Sequence, residues 1–183
     1  MIRIRNRARA GFSIVELLVV VVILGMVAGV ATVSSMSILP STALSKDVRT
    51  LGGRISGARS DAISRNLEFQ IVYNIDESKY WVRPPFNQEG RLEPREEERA
   101  ILFETRLSDG IRFAEITIDG EAYNDGLVKV RFDPLGASND HTILLHQKTL
   151  DRYHTIEVLA LTGLLRFHDG VFEREIVDDG DFD

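Results

Sequence analysis

Glu16 stands at the mouth of an unbroken apolar run, within GFSIVELLVVVVILG, and its position demands a chemical reason. An ionised carboxylate in hydrocarbon is costly unless a cation meets it, so a bare membrane anchor has no use for one. Other chemistry is sparse. With no cysteine the chain has no disulfide, thiolate metal site or Cys nucleophile. No G-x-S-x-G elbow, P-loop, G-x-G-x-x-G or H-E-x-x-H occurs. His141, His146, His154 and His168 lack metal-like spacing, and the first two, an odd number of residues apart, face opposite sides of one regular strand. They read as surface or satisfied histidines. Asp179, Asp181 and Asp183 start like a calcium loop, but no bidentate Glu follows. Neither a metal nor any other cofactor is expected.

Tyr80 and Trp81 beside Arg83 have the chemistry of a stacking platform for single-stranded nucleic acid. The charge argues otherwise. The chain's net charge is −6, and Arg3, Arg5, Arg7 and Arg9 contribute +4 within the first eleven residues, leaving −10 for the rest. An acidic body is a poor match for phosphates. Tyr80 and Trp81 read instead as hairpin and core residues.

The elements that position these groups begin with the apolar run. From Leu17 to Ala31 every residue is apolar or glycine, and counted from Phe12 the segment reaches the roughly 20 residues that cross hydrocarbon. The preceding arginines place the N-terminus on the cytoplasmic side. Three readings fit: a cleaved secretory signal, a plain signal anchor, or a specialised signal that retains the run. Gly25 and Gly29 form a G-x-x-x-G, a spacing that lets membrane helices approach closely. Gly53 and Gly57 repeat it further on, as a close helix–sheet contact or as a loosened stretch.

Pro40 is expected to kink or break the helix, with Ser41 or Thr42 capping its resumption. Leu44, Val48, Leu51, Ile55, Ala58 and Ala62 then recur at spacings of four and three, one apolar stripe ending near Asn66. Lys46, Asp47, Arg49, Arg54, Arg59 and Asp61 fall mostly elsewhere. Beyond Asn66 the period changes to that of strands. Runs 68–73 and 79–83 form a hairpin around 74–78; further strands are expected at 101–106, 111–118, 127–132, 142–147, 155–161 and 164–168. Asp-Gly turn signals at 109–110, 119–120, 125–126 and 169–170 argue for antiparallel meanders. Residues 84–99 read as an exposed loop and the acidic C-terminus as a solvated tail.

The stretch Gly11-Phe12-Ser13-Ile14-Val15-Glu16-Leu17-Leu18-Val19-Val20, after its basic leader, resembles the class III signal of type IV pilins and type II secretion pseudopilins. The resemblance implies that prepilin peptidase cuts between Gly11 and Phe12 and N-methylates Phe12, and that Glu16 is the acidic position setting assembly register. Cleavage creates an α-ammonium at Phe12. Across ~4 Å at an effective dielectric of about 20, this amine and a neighbouring subunit's Glu16 attract by about 4 kcal/mol before desolvation.

A second stretch, Ala58–Asn74 (ARSDAISRNLEFQIVYN), resembles the helix-to-strand junction of H-type minor pseudopilins and FimT-like minor pilins. Phe132-Asp133-Pro134-Leu135-Gly136, Ile143-Leu144-Leu145, Ile156-Glu157-Val158 and Thr162-Gly163 are similar to the same family's C-terminal β pattern. The implied fold is α+β: a long N-terminal helix whose second half packs on antiparallel sheets. The implied organisation is a cleaved leader over 1–11, a transmembrane and assembly half over 12–35, an amphipathic half over 36–66, and a periplasmic β head over 67–183. The implied role is structural, not enzymatic: a minor pseudopilin, processed in the inner membrane and packed into a type II secretion pseudopilus. Its partners would be prepilin peptidase, other major and minor pseudopilins, the inner-membrane assembly platform and exported proteins. The alternatives are a minor pilin of a type IV pilus serving DNA uptake and, from another class, a membrane-anchored enzyme. The first needs a basic surface, and Glu173–Asp183 sets six acids against Arg174. The second needs a concave pocket of carboxylates or histidines with displaced pKa values.

Overall fold

The computed structural model describes residues 14–173, excepting the side chains of 25 and 27–41. The chain divides into two compact units, Met1–Leu39 and Pro40–Asp183. Helix α1 runs unbroken over Ile14–Arg65, so Pro40 does not end it and neither Ser41 nor Thr42 starts a new helix. A proline inside a helix forfeits one i→i−4 bond, whereas a break would orphan up to four carbonyls and four amides. Continuity is the smaller loss. At its far end Leu67 N–H donates to the Ala62 carbonyl and Asn66 N–H to that of Ile63, with Asn66 at φ +53°. This 6→1 and 5→2 pair is a Schellman cap, and asparagine tolerates its left-handed residue.

The described residues of the head form nine strands, β1 Phe69–Asn74, β2 Lys79–Arg83, β3 Leu102–Arg106, β4 Ile111–Ile118, β5 Glu121–Tyr123, β6 Leu127–Phe132, β7 His141–Gln147, β8 Arg152–Val158 and β9 Leu165–Asp169. They form two antiparallel sheets, of order β3-β2-β1-β6 and β5-β4-β7-β8-β9. Ranges 79–83, 111–118 and 127–132 coincide with the expected strands; the others shift by up to three residues, and the short β5 was not expected. The glycine of each Asp-Gly signal has positive φ; the pairs at 109–110 and 119–120 lie in turns and that at 125–126 in a bend, whereas Asp169 ends β9.

All six residues of the stripe Leu44, Val48, Leu51, Ile55, Ala58 and Ala62 are buried. They share one core with Phe69, Ile71 and Tyr73 of the first sheet and Phe113, Ile143, Leu145 and Ile156 of the second. Each large aliphatic so buried stabilises the head by about 2 kcal/mol relative to exposure. Tyr80 belongs to this core, whereas Trp81, also buried, lies on the opposite face of β2, level with Val72 of β1.

The candidate assembly helix and its head

Glu16 lies in the first turn of α1, where a carboxylate complements the positive end of the helix dipole. Around it Ile14, Val15 and Leu17 to Leu24 are exposed large hydrophobics, from 47% at Val20 to 84% at Ile14. This is an apolar helix surface with a single carboxylate at its mouth. Gly11 and Phe12 lie outside the described residues. Gly25 and Gly29 lie on α1, but what surrounds them does not belong to the described part. Among the described residues no helix is long and apolar enough to cross a membrane, and the expected 12–35 span extends beyond them.

The head carries its helix through three ties that periodicity did not reveal. Asp47, expected on the polar side, is 7% exposed; its Oδ2 accepts from Ser108 N–H at 2.7 Å and its Oδ1 from the Ser108 hydroxyl at 3.0 Å. It caps the turn entering β4, a partner 61 residues away. Arg59 Nε donates to the Gly136 carbonyl at 3.0 Å. A Cβ on Gly163 would stand 2.4 Å from Arg59 Cδ and Nε and 2.9 Å from the Gly136 oxygen. So the helix end and the Asp133–Gly136 and Thr162–Gly163 turns, distant stretches of sequence, converge on one guanidinium. The third tie is Gly52, whose added Cβ would lie 2.8 Å from Phe167 Cζ of β9. Gly53 and Gly57 have nothing within 4 Å of such a carbon, so close packing falls one residue before the expected pair.

Residues 84–99 do not simply stand in solvent. Their short 3₁₀ turn, Glu96–Glu98, brings Glu96 over the outer face of the first sheet, where it accepts from Arg131 at 2.7 Å, Lys129 at 2.8 Å and Gln70 at 3.1 Å. Lys129 foremost, then Gln70, holds the Glu96 carboxyl down at about 2. A signal existed: FQIVY and YWV place apolar residues on both strand faces, and a strand apolar on both faces is covered on both.

The four histidines have local partners. His146 Nε2 lies 3.0 Å from Asp151 and its ring stacks on Tyr153; His154 lies 3.0 Å from Asp169, and His168 3.1 Å from Glu157. His141 is buried, and burial pulls its imidazole down to about 4. Its Nε2 is sealed from solvent and so out of reach of any substrate. Among the described residues no group of three or more His, Cys, Asp or Glu is placed to hold a metal.

Helix and head together define a class: an α+β fold in which a long N-terminal helix packs by its second half on two antiparallel sheets. The model of the prokaryotic N-terminal methylation motif matches residues 6–32, spanning the Gly11–Phe12 junction, Glu16 and both glycines of the G-x-x-x-G. Among solved structures the fold is that of the minor pseudopilin EpsH from the type II secretion system of Vibrio cholerae. One EpsH crystal structure aligns with a TM-score of 0.51 at 14% identity, covering 70% of this chain and 94% of that one. Another structure of EpsH aligns at 0.48 and 12% identity, over 68% and 95%. A search of the curated proteins finds no match.

Proposed function

We propose that this chain is a structural subunit of a type II secretion pseudopilus, of the H-type minor class. The observation that carries the reading is the methylation motif at the head of a continuous helix whose second half is the spine of a pilin-like head. Prepilin peptidase removes residues 1–11 in the inner membrane and methylates Phe12. Glu16 then meets the new α-ammonium of a neighbouring subunit. In a lone subunit both charges are unpaired in hydrocarbon; in the filament each compensates the other, so register and charge pairing are one event. Gly25 and Gly29 permit the close helix approach that such packing needs. The head faces the periplasm, where it contacts other pseudopilins and, at the tip, exported protein. The role is mechanical, with the energy supplied through the assembly platform.

Intact mass and N-terminal sequencing of the chain purified from its native membrane test this directly. The expected product begins at N-methylated Phe12. A product beginning near Thr32 means ordinary signal-peptidase removal of the apolar run and ends the assembly reading.

A further inference from the structure

We propose that the outer face of the five-stranded sheet is a docking groove for an extended, cationic segment of a second protein. The inference concerns the head alone and does not rest on the assembly reading. The groove has a volume of ≈ 490 Å³. Cross-strand neighbours build its floor: Glu115 of β4, Leu144 of β7 and Thr155 of β8 in one row, Thr117 and Thr142 in the next. The β4–β5 turn, with Asp119, forms one wall, and the irregular segment that follows β9, Val171–Glu173, the other. That second wall is fastened down. Thr155 Oγ1 donates to the Gly170 carbonyl at 2.8 Å and accepts from Phe172 N–H at 3.2 Å, while the Phe172 ring stacks on His168 at 3.8 Å. The groove is therefore preformed, which spares an incoming segment the entropic cost of ordering it.

Charge selects the occupant. Glu115, Asp119, Asp140 and Glu173 line the groove, and no Lys or Arg does. Glu115 accepts from the Thr117 hydroxyl at 3.2 Å, and Asp119 from the Asn139 amide at 2.7 Å and the Asp140 N–H at 3.2 Å. These donors are neutral, so they leave the negative charge in place on a concave face that focuses its field. The four carboxylates are spread around the groove, on β4, the β4–β5 turn, the approach to β7 and the segment after β9, so a segment carrying several cations matches them better than one point charge. Residues 174–183, joined to the wall at Glu173, carry five acids against Arg174. Leu144 and Phe172 supply apolar contact. An extended segment alternates its side chains between two faces, so one that alternates Lys or Arg with aliphatic residues sets the aliphatic ones on the floor and the cations at the rim.

The test uses the full chain in neutral detergent micelles and a fluorescent peptide of alternating Lys and Val, read by anisotropy. Saturable binding is expected at about 50 mM NaCl and at least about threefold weakening at about 300 mM, where screening is short-ranged. Glu115→Gln with Glu173→Gln keeps shape and hydrogen bonding and should weaken binding about fivefold. Leu144→Arg, which plugs the groove with a cation, should abolish it, with unchanged thermal melts showing that both variants fold. A peptide with Glu in place of Lys should not bind. The proposal is overturned by no binding at the lower salt, or by equal binding to the double variant. It also fails if about 1 mM calcium competes at constant ionic strength, which would make this a metal site. Tighter binding by a chain truncated after Glu173 would make the acidic tail the occupant and overturn it too.

Discussion

Lowering the pH from about 8 to about 5 should destabilise the head through His141. Its Nδ1 lies 2.9 Å from the Asn139 carbonyl. A carbonyl only accepts, so Nδ1 carries the proton and Nε2 is a bare lone pair, sealed off and without a hydrogen-bond partner. A second proton would create a buried cation with one unsatisfied N–H. Desolvation therefore pulls the imidazole down to about 4, against weaker opposing pulls from the Asn139 carbonyl, Asp140 and Asp119. The unfolded chain takes up this proton near pH 6.5 and the folded one does not, so stability is present above that pH and is lost as pH falls toward 4. The gap is worth about 3 kcal/mol in full and about 2 kcal/mol at pH 5. The assay is urea unfolding of the Pro40–Asp183 unit at both pH values, beside His141→Asn, whose amide keeps a donor near Nδ1. His146, His154 and His168 are common to both proteins and cancel in the difference. The original should lose about 2 kcal/mol more than the variant; equal losses would refute the reasoning.

Two further substitutions probe the helix's seat. Gly53→Ala adds a Cβ into open space and should stabilise the unit by about 0.5–1 kcal/mol through helix propensity. Gly52→Ala should fall short of that gain, because the Phe167 ring must leave the position it holds; equal thermal shifts would show that the ring does not rest on Gly52. Gly163→Ala sets a side chain at φ +58° against Arg59 and the Gly136 oxygen and should cost about 3 kcal/mol. In a double-mutant cycle, Arg59→Ala should relieve part of that cost, and strict additivity would refute the shared anchor.

What could be read directly from the chain was what depends on neighbours in sequence. The leader, Gly11, Phe12, Glu16 and the apolar run form one local signal, and the match over residues 6–32 falls on it. The stripe from Leu44 to Ala62 and the strands at 79–83, 111–118 and 127–132 follow from periods of 3.6 and 2, which short windows reveal. Asp47 shows where that stops. On a helical wheel it is one more charge, and only the turn at Ser108, 61 residues on, makes it a buried cap. Glu96 lay within a stretch that reads as exposed until Gln70, Lys129 and Arg131 are folded beneath it. Gly52 differs from Gly53 only because Phe167 arrives over one and not the other. The acidic groove takes its carboxylates from β4, two turns and the end of the described chain, none of which is acidic enough by itself to mark a site. Local pattern determined the elements and the N-terminal signal, because propensity and burial period act over a few residues. Which polar groups became anchors, and which acids share one concave face, was decided by tertiary structure, because a charge's role depends on what reaches it across the fold.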